Sequence, residues 1–456
     1  MFQPGLTDAI EEGLPLPQHK GSRRFGLLVG LLLAGCLTLP THALAEERTL
    51  ERQDEMEAAL ILRVKPAVVG ILTDVSAEVT IRCGKNDTCV VRPDPDRENG
   101  TGFIIHPDGW IATNGHVVEP AYTEDEEHIT NFLQAAADAA CGPALAKLPE
   151  SQRKARMQAI LKDPGNRKGV KLNKKLEVYL PSVLAPGAKS HKAMPAVVKA
   201  YSPPIDPDLL PKGGGKPDPP MLDAAIIKIE STNLPTVRLA PSIKQVHLGQ
   251  QLFIVGFPGV VLWHDFLSRT SRTEATVTFG RVSSFKDDVN ERRILQTDAP
   301  ISWGNSGGPA FNRSDEVIGL ATFISTSLEG DQAIQGFNFL IPVDTIHDLA
   351  RQIGLTPQPE SPFTQEWEQA GIAYFQGRYA KALSHLEAAD KIVPGLMDVE
   401  RVRSRIEEST KESPEESARR QLMGLGLALV IAVAAVGIFV GVRMARNRRR
   451  PPHSLA

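Results

Sequence analysis

A serine with glycines on both sides lies in the run Gly304 to Pro309, and Ser306 has the residue type of a nucleophile. A serine hydroxyl attacks a carbonyl group only when a base takes its proton and N–H groups hold the oxyanion that forms. Flanking glycines allow the tight turn that aims such N–H groups at one point. An ordinary glycine-rich turn is the alternative, so the partners of Ser306 decide between the two interpretations.

A histidine and a carboxylate that suit these roles occur upstream of the serine. His116 follows a predicted hairpin whose second strand includes Trp110 to Ala112. Asp223 opens an apolar segment with the pattern of a strand buried mostly on one face. Each residue alone is typical of a surface or a turn, but the chain order His, Asp, Ser is that of one class of catalytic triad. We predict that His116, Asp223 and Ser306 belong to one such triad.

Several segments around these residues resemble the HtrA/Deg branch of trypsin-like serine peptidases. They are Thr101 to Val118, Met221 to Glu230, Thr276 to Ser284, Gln296 to Ala299, Gly304 to Pro309 and Phe339 to Asp344. The resemblance covers roughly residues 60 to 352. It implies a mainly β, chymotrypsin-like fold of two six-stranded barrels, with the triad in the cleft between them. It also implies that Ser306 is the nucleophile, His116 the general base and then acid, and Asp223 the carboxylate that orients the imidazole.

The resemblance also implies an oxyanion hole and a set of substrate contacts. The backbone N–H groups of Gly304 and Ser306 would form the oxyanion hole. The implied substrate-binding residues are Thr322, Phe323 and Ile324 on an edge strand, and Asn338 and Leu340 on the wall of the specificity pocket. A peptide would pair with the edge strand by β-augmentation. A triad of this kind implies neither a metal nor an organic cofactor.

The chain departs from the family pattern in two places near the serine. Ser302 and Trp303 stand where the family commonly has Asn-Pro, and Trp303 either lines the cleft or blocks it until a substrate arrives. Pro300, rather than an aspartate, precedes the serine by six positions, so a pocket for Arg or Lys side chains is not expected. With Leu340 on the pocket wall, we expect cleavage after a small or medium aliphatic residue.

The N-terminal 1–45 segment has the order of a secretory signal peptide. Basic residues around Arg23 precede an apolar run, and Ala43 and Ala45 offer a cleavage site before Glu46. Two alternatives stay open: a lipoprotein signal that leaves a lipidated Cys36, and a less well matched twin-arginine signal. The formal net charge of −3 argues against a general nucleic-acid binder.

The segment 422–442 contains no charged residue, and a helix of that length at about 1.5 Å per residue spans a bilayer core. A basic tail, 443–456, follows it and is expected to lie in the cytoplasm. The pattern predicts a single-pass protein of the bacterial inner membrane, with its peptidase domain in the periplasm or outside the cell.

The expected peptidase domain, 46–355, contains a large insertion at about 121–220. Residues 124–162 have helical composition, with apolar residues at helical spacing, and a segment rich in lysine and arginine follows. One interpretation is a lid or regulatory subdomain over the active site. The other is a helical ornament whose basic residues form a solvated face.

A linker at 356–364 is expected to lead into a segment, 365–410, that resembles one tetratricopeptide repeat. The residues before the predicted membrane helix are too few for the PDZ domain with which most compared family members continue. Since such repeats need neighbours to bury their faces, two interpretations stay open. The segment is either a partner-binding site or a helical spacer packed on the peptidase domain or on a second copy.

Two of the four cysteines lie close together, and we predict a disulfide between Cys83 and Cys89 in an oxidising compartment. Two free thiols are the alternative for this pair. Cys141 has no evident partner and is expected to be a buried free thiol.

Together these features predict a membrane-anchored, HtrA-like serine endopeptidase that acts on protein or peptide substrates in quality control or regulated proteolysis. One alternative is an anchored scaffold or chaperone-like binder that uses the helical segment. Another is an enzyme that stays latent until a partner moves the insertion. Trimers are common in the family, and homo-oligomerisation stays open for this chain.

Overall fold

The computed structural model describes residues 54–84, 87–181, 193–205, 210–211, 215–262, 268, 274–322 and 337–411. By its contacts the chain divides into Met1–Ala58 and Ala59–Ala456. In the first unit the described residues, 54–58, are helical and belong to helix α1, which covers 54–64. All other elements lie in the second unit.

Barrel 1 is an antiparallel sheet that closes on itself. Its strands are β1 (Val68–Arg82), β2 (Thr88–Val91), β3 (Asp96–His106), β4 (Trp110–Thr113), β5 (Val170–Tyr179), β6 (Ala193–Ser202) and β7 (Ala224–Ile229). The hydrogen-bonded order is β2-β1-β3-β4-β7-β6-β5, and β5 also pairs with β1. Six strands therefore close the barrel, while β2 extends it as a hairpin with β1. Buried residues alternate along most of β1, as they do in a strand with one face on a core.

Barrel 2 has the same closure and one added strand. Its strands are β8 (Arg238–Leu239), β9 (Gln251–Gly256), β10 (Thr276–Asp287), β11 (Arg293–Thr297), β12 (Pro309–Phe311), β13 (Glu316–Ala321) and β14 (Asn338–Pro342). The order is β12-β9-β10-β11-β14-β13-β8, with β12 also paired to β13. The short strand β8 adds to β13 in parallel, and a short helix, α6 (Gly259–Leu262), follows β9.

One hydrophobic cluster joins the two barrels. Phe103 and Ile226 of barrel 1 lie in the same cluster as Phe253 and Phe311 of barrel 2. The rings of Phe253 and Phe311 stack with their centroids 5.2 Å apart. The prediction of a mainly β fold with two six-stranded barrels is confirmed.

Helix α2 (Gly115–Tyr122) leads into the insertion, which forms helices α3 (Asp125–Leu145), α4 (Glu150–Lys162) and α5 (Pro164–Lys168) and then contributes β5 and β6 to barrel 1. The apolar face of α3 packs on the far half of β1, where Phe132 and Leu133 share a cluster with Val79 and Ile81. The apolar stripe predicted for the insertion is therefore buried against the sheet. This packing favours a helical ornament over a lid.

The cysteine pairing differs from the prediction. Cys83 is bonded to Cys141, with their Cα atoms 5.4 Å apart, and Cys89 is a free thiol. In the β1–β2 ladder Cys89 lies opposite Ile81 rather than opposite Cys83. Helix α3 brings Cys141 onto the end of β1, a contact that spacing along the sequence does not reveal. The predicted bridge between Cys83 and Cys89 was wrong, as was the free thiol at Cys141.

Four helices follow barrel 2: α7 (Val343–Gln352), α8 (Pro362–Phe375), α9 (Tyr379–Ile392) and α10 (Met397–Lys411). The buried side chains of α8, among them Phe363 and Trp367, share a cluster with barrel 1 residues such as Val69 and Ile111. Trp367 also donates its indole N–H to the carbonyl oxygen of Leu62 at 2.9 Å. Of the two interpretations of 365–410, this packing supports the spacer docked on the peptidase domain.

Three predicted segments lie outside the described residues: the signal peptide 1–45, the membrane span 422–442 and the basic tail 443–456. Within the part of the chain that the structure describes, no helix combines the length and the apolar character needed to cross a bilayer.

Candidate active site

His116 lies in the first turn of α2, and the single residue Asn114 separates that helix from β4. A Cβ atom at Gly115 would lie 2.3 Å from the carbonyl oxygen of Ser202, so only glycine allows α2 to start this close to β6. The Nδ1 atom of His116 lies 3.0 Å from Oδ1 and 3.1 Å from Oδ2 of Asp223. The backbone N–H of His116 also donates to Oδ1 of Asp223 at 2.9 Å.

Asp223 is completely buried, and hydrogen bonds hold both its side chain and its backbone. Besides His116, the hydroxyl of Thr322 donates to its carboxylate. Its carbonyl oxygen accepts from Nδ2 of Asn114 at 2.8 Å, and its N–H donates to the carbonyl oxygen of Pro203 at 2.9 Å. Its φ of +46° is left-handed, a conformation that aspartate tolerates better than most residues. These contacts hold the carboxylate in one orientation behind the imidazole.

The Ser306 loop extends from barrel 2 onto the strand ends of barrel 1. Gly304 and Gly307 have φ values of +94° and +82°, which glycine adopts without steric cost. A Cβ atom at Gly307 would lie 2.2 Å from the carbonyl oxygen of Thr101 and 2.3 Å from Oγ1 of Thr113. The N–H of Thr101 donates to the carbonyl oxygen of Ser306 at 2.8 Å. A side chain at position 307 would therefore push the loop away from barrel 1.

Thr101 links the two barrels at this loop, and sequence reasoning did not identify it. Its buried hydroxyl donates to the carbonyl oxygen of Gly304 at 2.6 Å and accepts the N–H of Phe257 at 3.0 Å. Its carbonyl oxygen accepts the hydroxyl of Thr113 at 2.8 Å. The sequence feature that could have identified Thr101 is a threonine next to the apolar half of a predicted strand, close in sequence to His116.

The structure brings Ser306 next to the segment that carries His116 without bonding the two side chains. A Cβ atom at Gly307 would lie 2.9 Å from the backbone nitrogen of Asn114, two residues before His116. Among the described residues no hydrogen bond joins Oγ of Ser306 to the imidazole, whereas His116 and Asp223 are bonded directly. Hydrogen bonds of this kind are often long in a substrate-free site and shorten when a substrate binds.

The backbone donors at the loop are available to an anion. Neither Gly304 nor Ser306 uses its N–H in a hydrogen bond to any part of the chain that the structure describes. Ser306 itself is only 7% exposed, so a group that reached these donors would be largely removed from water. Charge–dipole interactions are stronger in such a setting than in bulk solvent.

The predicted substrate contacts are placed only in part. Phe323 and Ile324 lie outside the described residues. The side chain of Thr322 turns toward Asp223 instead of toward a substrate, and sequence reasoning missed this role. Leu340 is completely buried in the shared core, and Asn338 is buried with its Nδ2 donating to the carbonyl oxygen of Ala299. Leu340 has no exposed surface, and its place on the wall of the specificity pocket stays a prediction.

The side chain of Trp303 is not buried in the serine loop. Its side chain is 59% exposed, while its carbonyl oxygen accepts the N–H of Gly259 at 2.7 Å. This bond ties the backbone of Trp303 to Gly259, and the indole ring is largely exposed to solvent. Both roles expected for Trp303, lining the cleft and blocking it until a substrate arrives, stay predictions.

The electrostatic surroundings of His116 favour its protonated form. Burial is the largest single influence and lowers the pKa of the imidazole, but the charge and hydrogen bond of Asp223, with smaller contributions from Glu98 and Glu119, together outweigh it. The net pKa therefore lies above the ordinary value of 6.5. Burial also raises the pKa of the Glu98 and Glu119 carboxyl groups, and Tyr201 donates to Glu119 at 3.0 Å. The site can thus hold a proton on His116 next to a buried carboxylate.

The apolar face of α3 packs on β1 beyond the residues next to the serine loop. Gly70 of β1 pairs with Thr101, whereas Val75, Val79 and Ile81 share a cluster with Phe132 and Leu133 of α3. Val75 lies five positions beyond Gly70, which at about 3.3 Å per residue is roughly 16 Å along the strand. The apolar face of α3 is therefore buried on β1.

Comparison with known proteins agrees with this geometry. Residues 100–320 match the family model of the trypsin-like peptidase domain, and this stretch includes His116, Asp223 and Ser306. That part of the chain is thus similar to a trypsin-like peptidase domain.

Relatives named as serine endoproteases match a shorter stretch. A protein named serine endoprotease DegS from Haemophilus influenzae is 31% identical over 136 residues, covering 29% of this chain and 36% of the relative. A probable periplasmic serine endoprotease, DegP-like, from Pseudomonas fluorescens is 35% identical over 137 residues, covering 29% of this chain and 25% of the relative. The matched region is thus about a third or less of each relative's length.

A solved structure of an HtrA-type protease, AlgW, with a decapeptide has a TM-score of 0.36 and 18% identity to this chain. That likeness covers 65% of this chain and 66% of the other.

Proposed function

We propose that this protein is an HtrA-type serine endopeptidase with the triad Ser306, His116 and Asp223. The observation that carries the proposal is the two-oxygen contact of Asp223 with Nδ1 of His116, at 3.0 and 3.1 Å, beside a glycine-flanked serine. A buried carboxylate at Nδ1 keeps the proton on that nitrogen and leaves Nε2 free to act as a base. The match to the trypsin-like peptidase domain supports the same assignment.

In the proposed reaction, Oγ of Ser306 attacks the carbonyl carbon of the scissile peptide bond while Nε2 of His116 takes the hydroxyl proton. The N–H groups of Gly304 and Ser306 hold the oxyanion of the tetrahedral intermediate. His116 then gives its proton to the leaving amine, and an ester to Ser306 is left. Water then attacks the ester carbonyl carbon while Nε2 of His116 takes its proton. The bond from the carbonyl carbon to Oγ of Ser306 breaks, His116 returns the proton to Oγ, and the carboxylic acid leaves. Asp223 stabilises the imidazolium each time it forms.

We further propose that the substrates are proteins or peptides outside the cytoplasm and that the chain is anchored through 422–442. The name of the DegP-like relative places that protein in the periplasm, which supports the location proposed here. An extended substrate would pair with the segment that begins at Thr322. An apolar span next to a basic tail supports an anchor in the inner membrane.

A fluorophosphonate probe tests the proposal, because it reacts with a serine only when base and oxyanion donors are in place. We expect the wild-type protein to be labelled and Ser306→Ala to be unlabelled, with peptide hydrolysis reduced by about a million-fold. Ser302→Ala, a serine of the same loop outside the proposed triad, is the matched control and should label like the wild type. A wild-type protein that stays unlabelled, even with misfolded protein added, would contradict the proposal.

The pH dependence of hydrolysis follows from the surroundings of His116. The general base must be neutral, so kcat/KM should rise with pH through the pKa of His116, which lies above 6.5. In a plot of kcat/KM against pH, we expect the midpoint of the acidic limb to lie above pH 6.5. Measurement with a peptide substrate at constant ionic strength checks this, and an acidic limb below pH 6.5 would contradict the assigned surroundings of the imidazole.

A further inference from the structure

The hairpin between β10 and β11 ends in a turn that its own side chains make rigid. The carboxylate of Asp288 accepts the backbone N–H of Asn290 at 2.8 Å and that of Arg292 at 2.9 Å. It also accepts Nδ2 of Asn290 at 3.0 Å, so the asparagine side chain is held as well as its backbone. A preformed turn of this kind fixes the position of Asn290 before any contact with the other barrel.

Asn290 reaches from barrel 2 to the backbone of Met221 in barrel 1. Its Nδ2 donates to the carbonyl oxygen of Met221 at 2.8 Å, and its Oδ1 accepts the N–H of Met221 at 3.1 Å. The two bonds need opposite ends of the amide, so together they define its orientation. Asn290 is 6% exposed, which places both bonds away from competing water.

Met221 lies two residues before Asp223, in a segment that is held from several sides. The hydroxyl of Ser202 donates to the carbonyl oxygen of Pro220 and accepts the N–H of Leu222, both at 2.9 Å. Asn290 therefore holds residue 221 from barrel 2, while Ser202 holds its neighbours from barrel 1. The segment then enters the left-handed conformation at Asp223.

A left-handed φ at a residue other than glycine persists only where surrounding contacts over-determine it. At Asp223 this conformation decides where the carboxylate points relative to the imidazole of His116. A small displacement of a catalytic group can lower a reaction rate about a hundredfold. The position of the backbone that leads into Asp223 should therefore affect the rate of hydrolysis.

We propose that Asn290 is a positioning residue for Asp223: by holding the backbone of Met221 it keeps the Asp223 carboxylate aligned with His116. The consequence for catalysis rests on the proposed peptidase function. The alignment of the carboxylate does not rest on that function, because the pKa of the His116 imidazole reports the alignment directly. Asn290 touches neither the substrate nor the reacting atoms and acts only through Asp223.

The charged groups facing His116 determine whether its pKa should rise or fall when Asp223 is displaced. They are Asp223 before β7, Glu98 on β3 and Glu119 on α2, with the hydroxyl of Tyr201 on β6 bonded to Glu119. All three carboxylates raise the pKa of the imidazole, and Asp223 does so most. A misaligned Asp223 should therefore lower the pKa of His116.

The test replaces Asn290 by alanine. We expect kcat of Asn290→Ala to fall about 10- to 100-fold with KM little changed, and the acidic limb of its pH profile to move to lower pH. Asn312→Ala is the matched control: Oδ1 of Asn312 bonds the N–H groups of Ser314 and Glu316 in another barrel 2 turn, away from Met221. It should leave kcat and the pH profile unchanged. Thermal unfolding of both variants checks that each is folded.

Two further measurements separate a positioning role from a structural one. In an Asp223→Asn background, Asn290→Ala should cause little additional loss of kcat, because the group through which it acts is already disabled. NMR titration of the His116 ring should show a lower pKa in Asn290→Ala than in the wild type, whether or not the protein hydrolyses peptides. An unchanged His116 pKa would overturn the inference, as would fully additive losses of kcat. An unlabelled wild-type serine would instead overturn the proposed function.

Discussion

Asp223→Asn is expected to lower kcat for peptide hydrolysis by about ten-thousandfold while leaving the fold intact. Oδ1 and Oδ2 of Asp223 lie 3.0 and 3.1 Å from Nδ1 of His116, so the NH₂ group of an asparagine must take one of these positions. An amide donor facing Nδ1 favours the tautomer with its proton on Nε2. That tautomer cannot accept the proton of Ser306. The loss should appear in kcat rather than in KM, because Asp223 does not touch the substrate.

The measurement is steady-state hydrolysis together with the rate of fluorophosphonate labelling, both of which need the same base. Asp315→Asn is a matched control, since Asp315 is also buried and left-handed, with φ +56°, and its carboxylate pairs with Arg63 and Arg238. That control should change stability without changing kcat per folded molecule. A variant Asp223→Asn that kept a tenth of the wild-type kcat would contradict the assigned role.

The residues proposed as the triad could be found from sequence because their evidence is local. Ser306 lies among glycines, His116 follows a hairpin pattern and Asp223 opens an apolar strand, and each pattern spans a few residues. The barrels were predictable through the resemblance that these same segments carry. The family match over 100–320 agrees with that part of the prediction.

The contacts that position these residues could not be found in the same way, because they join distant parts of the chain. Thr101 reaches Gly304 across 203 positions, and Asn290 reaches Met221 across 69. Asparagine and threonine occur in many turns and strand ends, so neither type is informative until the fold brings it to a partner. The bond of Thr322 to Asp223 was missed for the same reason, since its segment was assigned to substrate binding.

The insertion shows a second limit of sequence reasoning. Apolar spacing predicted a helix near Phe132 and Leu133, and α3 is that helix. Spacing alone does not say which surface the apolar face will meet. The strand β1 extends beyond the barrel and offers Val79 and Ile81, so α3 buries its face there instead of over the cleft. The surface on which α3 packs therefore depends on the length of β1, a strand that pairs with β2, β3 and β5.

The largest stability effect is expected at the disulfide that ties α3 to β1. Cutting it in Cys141→Ser frees a loop with a sequence separation of 58 residues, which the chain-entropy model converts to about 4 kcal/mol of lost unfolding free energy. The apolar contacts of Phe132 and Leu133 with β1 remain, so we expect a folded but less stable protein. Urea unfolding followed by circular dichroism measures the change in midpoint.

Cys89→Ser is the matched control, because it removes a thiol from the same cluster without breaking a disulfide, and it should shift the midpoint far less. A reducing agent should lower the wild-type midpoint to that of Cys141→Ser and should leave the variant unchanged, since in both cases the same cross-link is absent. Equal midpoints for oxidised wild type and Cys141→Ser would show that α3 is held by its apolar face alone. The restriction of the unfolded chain by the cross-link would then contribute little to the stability of this fold.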